Sequence, residues 1–377
     1  MSGTAIGGSG ADDAGGANVL SGAGGAGGAA RTVPPVPVGR GATVAVAVVG
    51  FGTAGGARLS GYGSVPGAEV AAVVDPSPER RAQAARLLPH GRVLASLDEL
   101  TAPGGPAVDV VDVCTPPAFH GPLTRAALAA GLHVVCEKPV AARGAEAREL
   151  TALAAARGRL LFPSHNYGTS PLMRTLREAV DGGVGRLESA TFRVLRDRHA
   201  RGVPGYAPDW RRSPDLAGGG ILLDHGTHCV YMALRLFGRA PVKLSCDVER
   251  PGGDPSAVDE AARLRLDFGD ARCDIELSWI SGERSNHYSV SGSSGWLRVD
   301  DGEVSARTAA GPWRRSLVSP SKDQTHLEWF APMYEDFRRV LADPLLWDGP
   351  AREIVDTARV VEAAYASADA GGRPVPV

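Results

Sequence analysis

Three side chains in this 377-residue chain have the types and spacing for acid–base work on a hydroxyl group: Lys138, Asp224 and His228. Lys138 stands in Cys136-Glu137-Lys138-Pro139, straight after the apolar run His133-Val134-Val135. A Glu-Lys pair closed by a proline is an unusual ending for a buried strand, because lysines are mostly solvated. Pro139 has a fixed φ and disfavours helix at Lys138, so the ammonium is held against a cleft at the strand's end. Asp224 and His228 are four apart in a stretch of helical periodicity and therefore share a face, while His225 points elsewhere. A carboxylate beside an imidazole orients it and raises its basicity, which is what removal of a hydroxyl proton requires. Gly218-Gly219-Gly220, just before that helix, predict close approach of a ligand to the backbone.

A second group of residues lies upstream. Residues 43–49 form a continuous apolar run, the pattern of a strand covered on both faces. The run enters the turn Gly50-Phe51-Gly52-Thr53-Ala54-Gly55, and a helix can open directly after it. In a turn of this spacing the first glycine permits the sharp bend and the second lets the backbone approach a pyrophosphate. The third lets the helix pack on the strand. Asp75 ends the next apolar run, 70–74, twenty residues beyond Gly55 (75 − 55). A carboxylate placed there accepts the ribose hydroxyls of NAD and repels the 2′-phosphate of NADP, so NAD is expected over NADP. Thr115-Pro116-Pro117 ends a further strand, 109–114, as a rigid polar turn that lines the same groove.

The elements that position these residues alternate. Strands at 43–49, 70–74, near 93, 109–114, 133–136 and 160–163 are separated by helical stretches, which predicts a doubly wound parallel sheet with right-handed crossovers. After that the pattern changes. One helix runs from Ser170 to Val180 and another over 221–237. Strand-like segments follow at 242–248, 261–268, 273–279, 287–291 and 296–299 with no helices between them, and two helices close the chain. The expected fold is an α/β Rossmann domain over 43–165, followed by an α+β domain over 166–377. The second domain has a large, mostly antiparallel open sheet and serves substrate binding and oligomerisation. Residues 1–42, mostly Gly, Ala and Ser and ending in a proline-rich stretch, cannot bury enough surface to order themselves and are expected to be a disordered tail.

Composition narrows the function. A net charge of −2 gives no reason to expect nucleic acid, and no apolar run reaches the length needed to span a bilayer. The five cysteines are scattered without metal-ligand spacing, so they read as reduced residues of a cytoplasmic protein, and no metal is expected.

The pieces GFGTAG (50–55), CTPPAFH (114–120), AGLHVVCEKPV (130–140), DWRR (209–212) and GGGILLDHGTH (218–228), together with Asp75, occur in one order. In that order the chain resembles the Gfo/Idh/MocA oxidoreductases, the family of glucose–fructose oxidoreductase and inositol dehydrogenase. The resemblance implies a nicotinamide-dependent dehydrogenase that oxidises a secondary hydroxyl of a sugar or cyclitol, or runs the reverse reduction. It assigns catalysis to Lys138, Asp224 and His228. It assigns the cofactor to the 50–55 turn, Asp75, Thr115, Pro116, His120, Glu137 and Lys138. Substrate contacts fall on Lys138, Asn166, Tyr167, Trp210, Arg211, Asp224 and His228. Asn166-Tyr167-Gly168-Thr169 departs from the basic or bulky aromatic residues that many relatives carry there. A homodimer or homotetramer is expected. The arginines at 193, 196, 198, 201, 211 and 212 outnumber the nearby acids and suggest a phosphorylated substrate such as a nucleotide-diphosphate sugar. An inositol or cyclitol dehydrogenase is the alternative. Readings of other classes are a non-catalytic NAD-binding sensor or assembly protein and a redox-assisted glycosidase.

Overall fold

Val44–Val49 forms the central strand β1, and its continuous apolar run is explained by burial on both faces. It is followed by α1 (Thr53–Gly63), β2 (Ala68–Val74), α2 (Pro78–Leu87), β3 (Arg92–Leu94), α3 (Leu97–Thr101) and β4 (Val110–Val113). Then come α4 (His120–Ala129), β5 (His133–Cys136), α5 (Gly144–Ala156) and β6 (Leu161–Pro163). The computed structural model describes residues 42–204, 207–318, 321 and 327–377, so the expectation for the tail lies outside the described residues up to position 41.

These strands pair in parallel in the order β3-β2-β1-β4-β5-β6. The order reverses beside β1, so the turns after β1 and β4 flank one crevice at the carboxyl edge of the sheet, where open α/β sheets bind ligands. β5 delivers its own terminal turn to the same edge.

The remainder begins with α6 (Pro171–Gly182), β7 (Leu187–Leu195), α7 (Pro214–Ala217) and α8 (Ile221–Phe237). It continues through β8 (Lys243–Glu249), β9 (Ala261–Asp267), β10 (Arg272–Ser278), β11 (Ser285–Gly292) and β12 (Gly295–Asp300). β13 (Glu303–Thr308), β14 (Gly311–Ser316), α9 (Phe330–Leu341), α10 (Asp348–Asp369) and β15 (Val375–Pro376) complete it. Among the described residues the second sheet has nine strands in the order β14-β13-β12-β11-β7-β10-β9-β8-β15, antiparallel except for the β7–β10 pair. Three of these strands, β13, β14 and β15, lie beyond the five read from the sequence after the 221–237 helix.

α8 is the hinge of the architecture. It is apolar on nearly all sides because it is enclosed: Ile221, Leu222, Val230, Met232 and Ala233 are fully buried against the nine-stranded sheet and α6. The last two helices cross back. Phe330, Met333, Tyr334 and Phe337 of α9 join the core on one face of the parallel sheet, and Ile354 and Ala358 of α10 join the core on its other face. Chain order and spatial unit therefore separate after residue 166.

Candidate active site

The turn after β5 carries Lys138 inward. Its Nζ donates to Asp224 Oδ1 at 2.6 Å and to the Asp224 carbonyl at 2.9 Å, with both side chains largely enclosed. The Lys138–Pro139 peptide is cis. His120, at the start of α4, is 1% exposed and sets its two ring nitrogens 2.7 Å from the carbonyls of Pro139 and Thr115. Burial favours the neutral ring, so His120 donates to one of these two carbonyls and sets its other nitrogen beside the second.

Asp224 faces Lys138, not His228. Its second oxygen, Oδ2, accepts from Arg211 Nε at 3.2 Å and lies 3.5 Å from His225 Nδ1. The expected Asp224–His228 orienting contact is thus replaced, because the lysine and arginine bind the carboxylate from two sides. The reading that His225 points elsewhere is corrected as well. Burial opposes ionisation of Asp224, but the charges of Lys138 and Arg211 outweigh it and hold the carboxyl well below its ordinary range.

His228 is oriented instead by packing. Its ring lies 4.4 Å from that of Tyr167, and its enclosed Nδ1 makes no hydrogen bond. Burial, then the charge of Lys138, pushes its pKa well below the usual imidazole value, so it is neutral at pH 7. His225 and His165 are lowered to about 3, chiefly by burial. Burial raises the Tyr167 phenol to about 12. The site is therefore one carboxylate held between an ammonium and a guanidinium, beside neutral imidazoles.

The start of α8 is fixed from outside the helix. Asp259, 1% exposed, accepts from the N–H groups of Gly220 and Leu222 at 2.9 and 2.8 Å through its carboxylate and from Ile221 N through its carbonyl. Tyr365 OH donates to the same carboxylate at 2.8 Å. A Cβ on Gly220 would collide with the Asp259 backbone, and one on Gly219 with the Tyr365 hydroxyl. Gly219 and Gly220 therefore make room for the protein's own cap, while Gly218, with φ +73°, ends α7. Asp259 lies 39 residues downstream of Gly220 and had no signal in the sequence.

A dinucleotide fits the crevice between β1 and β4. Gly50 has φ +91°, closing the turn, and a Cβ on Gly55 would strike the Gly50 carbonyl. A Cβ on Gly52 would meet nothing within 4 Å, so its side opens onto free space at the N-terminus of α1, where no side chain caps the helix. Phe51, Thr53 and Ala54 complete that turn. Asp75, at the end of β2, accepts from Phe51 N at 2.7 Å and Ser77 N at 2.8 Å. The Thr115 hydroxyl, beside Pro116, has no hydrogen-bond partner. Glu137 Oε1 accepts from Arg58 at 2.6 Å and Oε2 from Lys138 N at 3.3 Å, so that carboxylate faces protein groups.

Of the remaining expected contacts, Asn166 and Tyr167 lie on the turn after β6, and the Asn166 amide oxygen has no partner. Trp210 and Arg211 lie on a short helical turn, the guanidinium 4.3 Å from the indole centroid. The arginines read as a phosphate cluster are engaged within the protein. Arg193 pairs with Glu276, Arg198 with Asp197, Arg201 with Asp209 and Arg212 with Glu260. Arg196 is buried and donates to backbone carbonyls and Asn286. Among the described residues no group of three or more His, Cys, Asp or Glu is placed to hold a metal ion.

Comparison with known proteins agrees with this geometry. The oxidoreductase family with an NAD-binding Rossmann fold, GFO/IDH/MocA, matches residues 44–165, and the GFO/IDH/MocA C-terminal domain matches residues 173–298. The scyllo-inositol 2-dehydrogenase (NADP(+)) IolW of Bacillus subtilis (strain 168) is 27% identical over 314 residues, 76% of this chain and 84% of that protein. The 1,5-anhydro-D-fructose reductase of Ensifer adhaerens is 37% identical over 161 residues, and that match spans 42% of this chain and less than half, 46%, of the reductase. The solved structure of GenD2 from gentamicin A biosynthesis in complex with NAD superposes with a TM-score of 0.73 at 27% identity, covering 89% of this chain and 97% of that one. The chain belongs to the GFO/IDH/MocA family of oxidoreductases and carries its NAD-binding Rossmann domain.

Proposed function

We propose that the protein oxidises a secondary ring hydroxyl of an unphosphorylated sugar or cyclitol, with NAD as the preferred cofactor. The observation that carries this reading is the Lys138–Asp224 pair at 2.6 Å beside the neutral, buried His228. Lys138 holds the reacting oxygen and stabilises the alkoxide as it forms. The Nδ1 of His228 is enclosed, so Nε2 is the ring atom open to the hydroxyl proton; burial lowers its basicity, and Lys138 offsets this by stabilising the alkoxide that the proton leaves behind. Asp224, ionised and fixed by Arg211, keeps the ammonium in place and balances its charge. The nicotinamide, when bound, supplies the hydride acceptor.

The pairing of the loop arginines supports a neutral substrate over a nucleotide-diphosphate sugar, since a diphosphate would have to break existing ion pairs. The similarity to GenD2 supports an aminosugar or other natural-product setting as the next place to look. A non-catalytic sensor has no need of the Lys138–Asp224 pair, and a glycosidase reading has no observation in its favour. The alternating exposed face of the nine-stranded sheet supports a homodimer or homotetramer, and the free, buried cysteines support a cytoplasmic setting. The test is NADH formation with myo-inositol, scyllo-inositol, glucose, methyl glucoside and UDP-glucose at two salt concentrations. A free ring polyol should have the highest kcat/KM. A higher value for UDP-glucose, with a KM that rises with salt, contradicts the neutral-substrate reading.

A further inference from the structure

Behind Lys138 lies a buried ionic network that the reaction chemistry does not itself require. Arg58, on α1 three residues after Gly55 (58 − 55), is 6% exposed. Its Nη2 donates to Glu137 Oε1 at 2.6 Å and to the Ser164 hydroxyl, and its Nε lies 3.4 Å from Asp112 Oδ2. Tyr62, one turn further along α1, donates to the same Asp112 oxygen at 2.7 Å. Glu137 in turn receives the Lys138 N–H on its other oxygen, at 3.3 Å. Burial works against the charge on Arg58, and the two carboxylates more than restore it.

An arginine among the small residues of a helix is ordinarily solvated. Here it ties the helix whose N-terminus faces the cofactor phosphates to the turn that presents the ammonium. We propose that Arg58 is a positioning residue for catalysis, which fixes Glu137 and, through it, the backbone of Lys138. This rests on the reading of Lys138 as the group that holds the reacting oxygen. Without the guanidinium, the buried Asp112, whose carboxyl burial already pushes up, loses its cation and is driven towards protonation, and Glu137 loses its ion-pair partner. Glu137, whose side chain is already 22% exposed, then turns to solvent and releases the Lys138 amide.

The test uses the full chain with NAD and its best substrate, comparing Glu137→Gln, Arg58→Met, Arg58→Lys and Lys138→Met. Each is measured for kcat, KM, the pH profile of kcat, NADH affinity and melting temperature. Glu137→Gln leaves the Arg58–Asp112 pair intact, so it folds even where Arg58→Met does not. It should lower kcat about 10- to 100-fold, as expected for a misplaced catalytic group, and shift the pH profile. Arg58→Met should reproduce that change, and Arg58→Lys, which keeps the charge, should recover most of the activity. Unchanged kcat and pH profile in Glu137→Gln overturns the inference. Equal losses in the Lys and Met variants that follow melting temperature alone also overturn it, since Arg58 is then only structural. If Lys138→Met itself keeps more than about a tenth of kcat, the underlying reading of Lys138 fails instead.

Discussion

Asp224 illustrates how a spacing rule can choose the right residues and the wrong bond. Its position four before His228 put both on one helical face, yet its carboxylate is claimed by Lys138, 86 residues upstream, and by Arg211. A charge-assisted bond to an ammonium outcompetes one to a neutral imidazole. No local pattern could show this, because the partner comes from the other sheet's edge. Asp75, by contrast, was legible from its place at a strand end twenty residues beyond Gly55, and it does sit at the end of β2. Arg81, which could have turned towards a 2′-phosphate, donates instead to the carbonyls of Asp75 and Pro76 at 2.9 and 2.8 Å. Two like charges about 4 Å apart at an effective dielectric near 20 repel by about 4 kcal/mol. Even after solvent screening, NAD is therefore expected to exceed NADP in kcat/KM by at least about tenfold. Asp75→Ser should narrow that ratio, and steady-state rates with both cofactors check it.

At the scale of elements, the glycines of the first turn divide into two kinds. Gly55→Ala puts a methyl group against the Gly50 carbonyl, and should lower both melting temperature and NADH affinity. Gly52→Ala meets open space and has an ordinary φ of −81°, so it should fold with an unchanged melting temperature and still lose NADH affinity. Paired melting and fluorescence titrations separate the two cases, and equal melting losses would contradict the assignment. Asp259→Ala should cost about 1–3 kcal/mol, since it strips two helix N–H groups and Tyr365 of their acceptor. Chemical denaturation measures it. The elements of the parallel sheet were readable because long apolar runs and glycine turns mark buried parallel strands without reference to anything distant. β13 and β14 were not, because their apolar residues are few: Val304 and Ala306 alone in β13 are buried, and β14 is mostly exposed. The outside cap on α8 and the return of α9 to the first sheet were hidden for the same reason as the Lys138–Asp224 bond. Each joins residues far apart in sequence.

For the molecule as a whole, the buried imidazoles dominate the response to acid. His133 is lowered to about 4, His165 and His225 to about 3, and His228 and His120 are lowered too, burial being the first cause in every case. In the unfolded chain these groups titrate near the usual value of about 6.5. Below that pH the unfolded state binds protons that the folded state refuses, so stability present at pH 7 is lost as pH falls. Each such group contributes a slope of about 1.4 kcal/mol per pH unit between its unfolded and folded values. Melting temperature should therefore drop between pH 6.5 and 5, before the carboxylates titrate. His165→Asn should flatten the slope, and a melting temperature constant over this range would contradict the burial of these rings. No described helix is long and apolar enough to cross a membrane.

The account turns on Lys138, the one charged donor brought by β5 to the crevice and paired with Asp224 at 2.6 Å. The most direct measurement is kcat of Lys138→Met with the best ring polyol, alongside NADH affinity by fluorescence. Loss of about 100-fold or more in kcat, with the NADH Kd within about threefold of the parent, is the predicted result. A variant that keeps more than about a tenth of the parental kcat, or that loses NADH binding in proportion to activity, would contradict it.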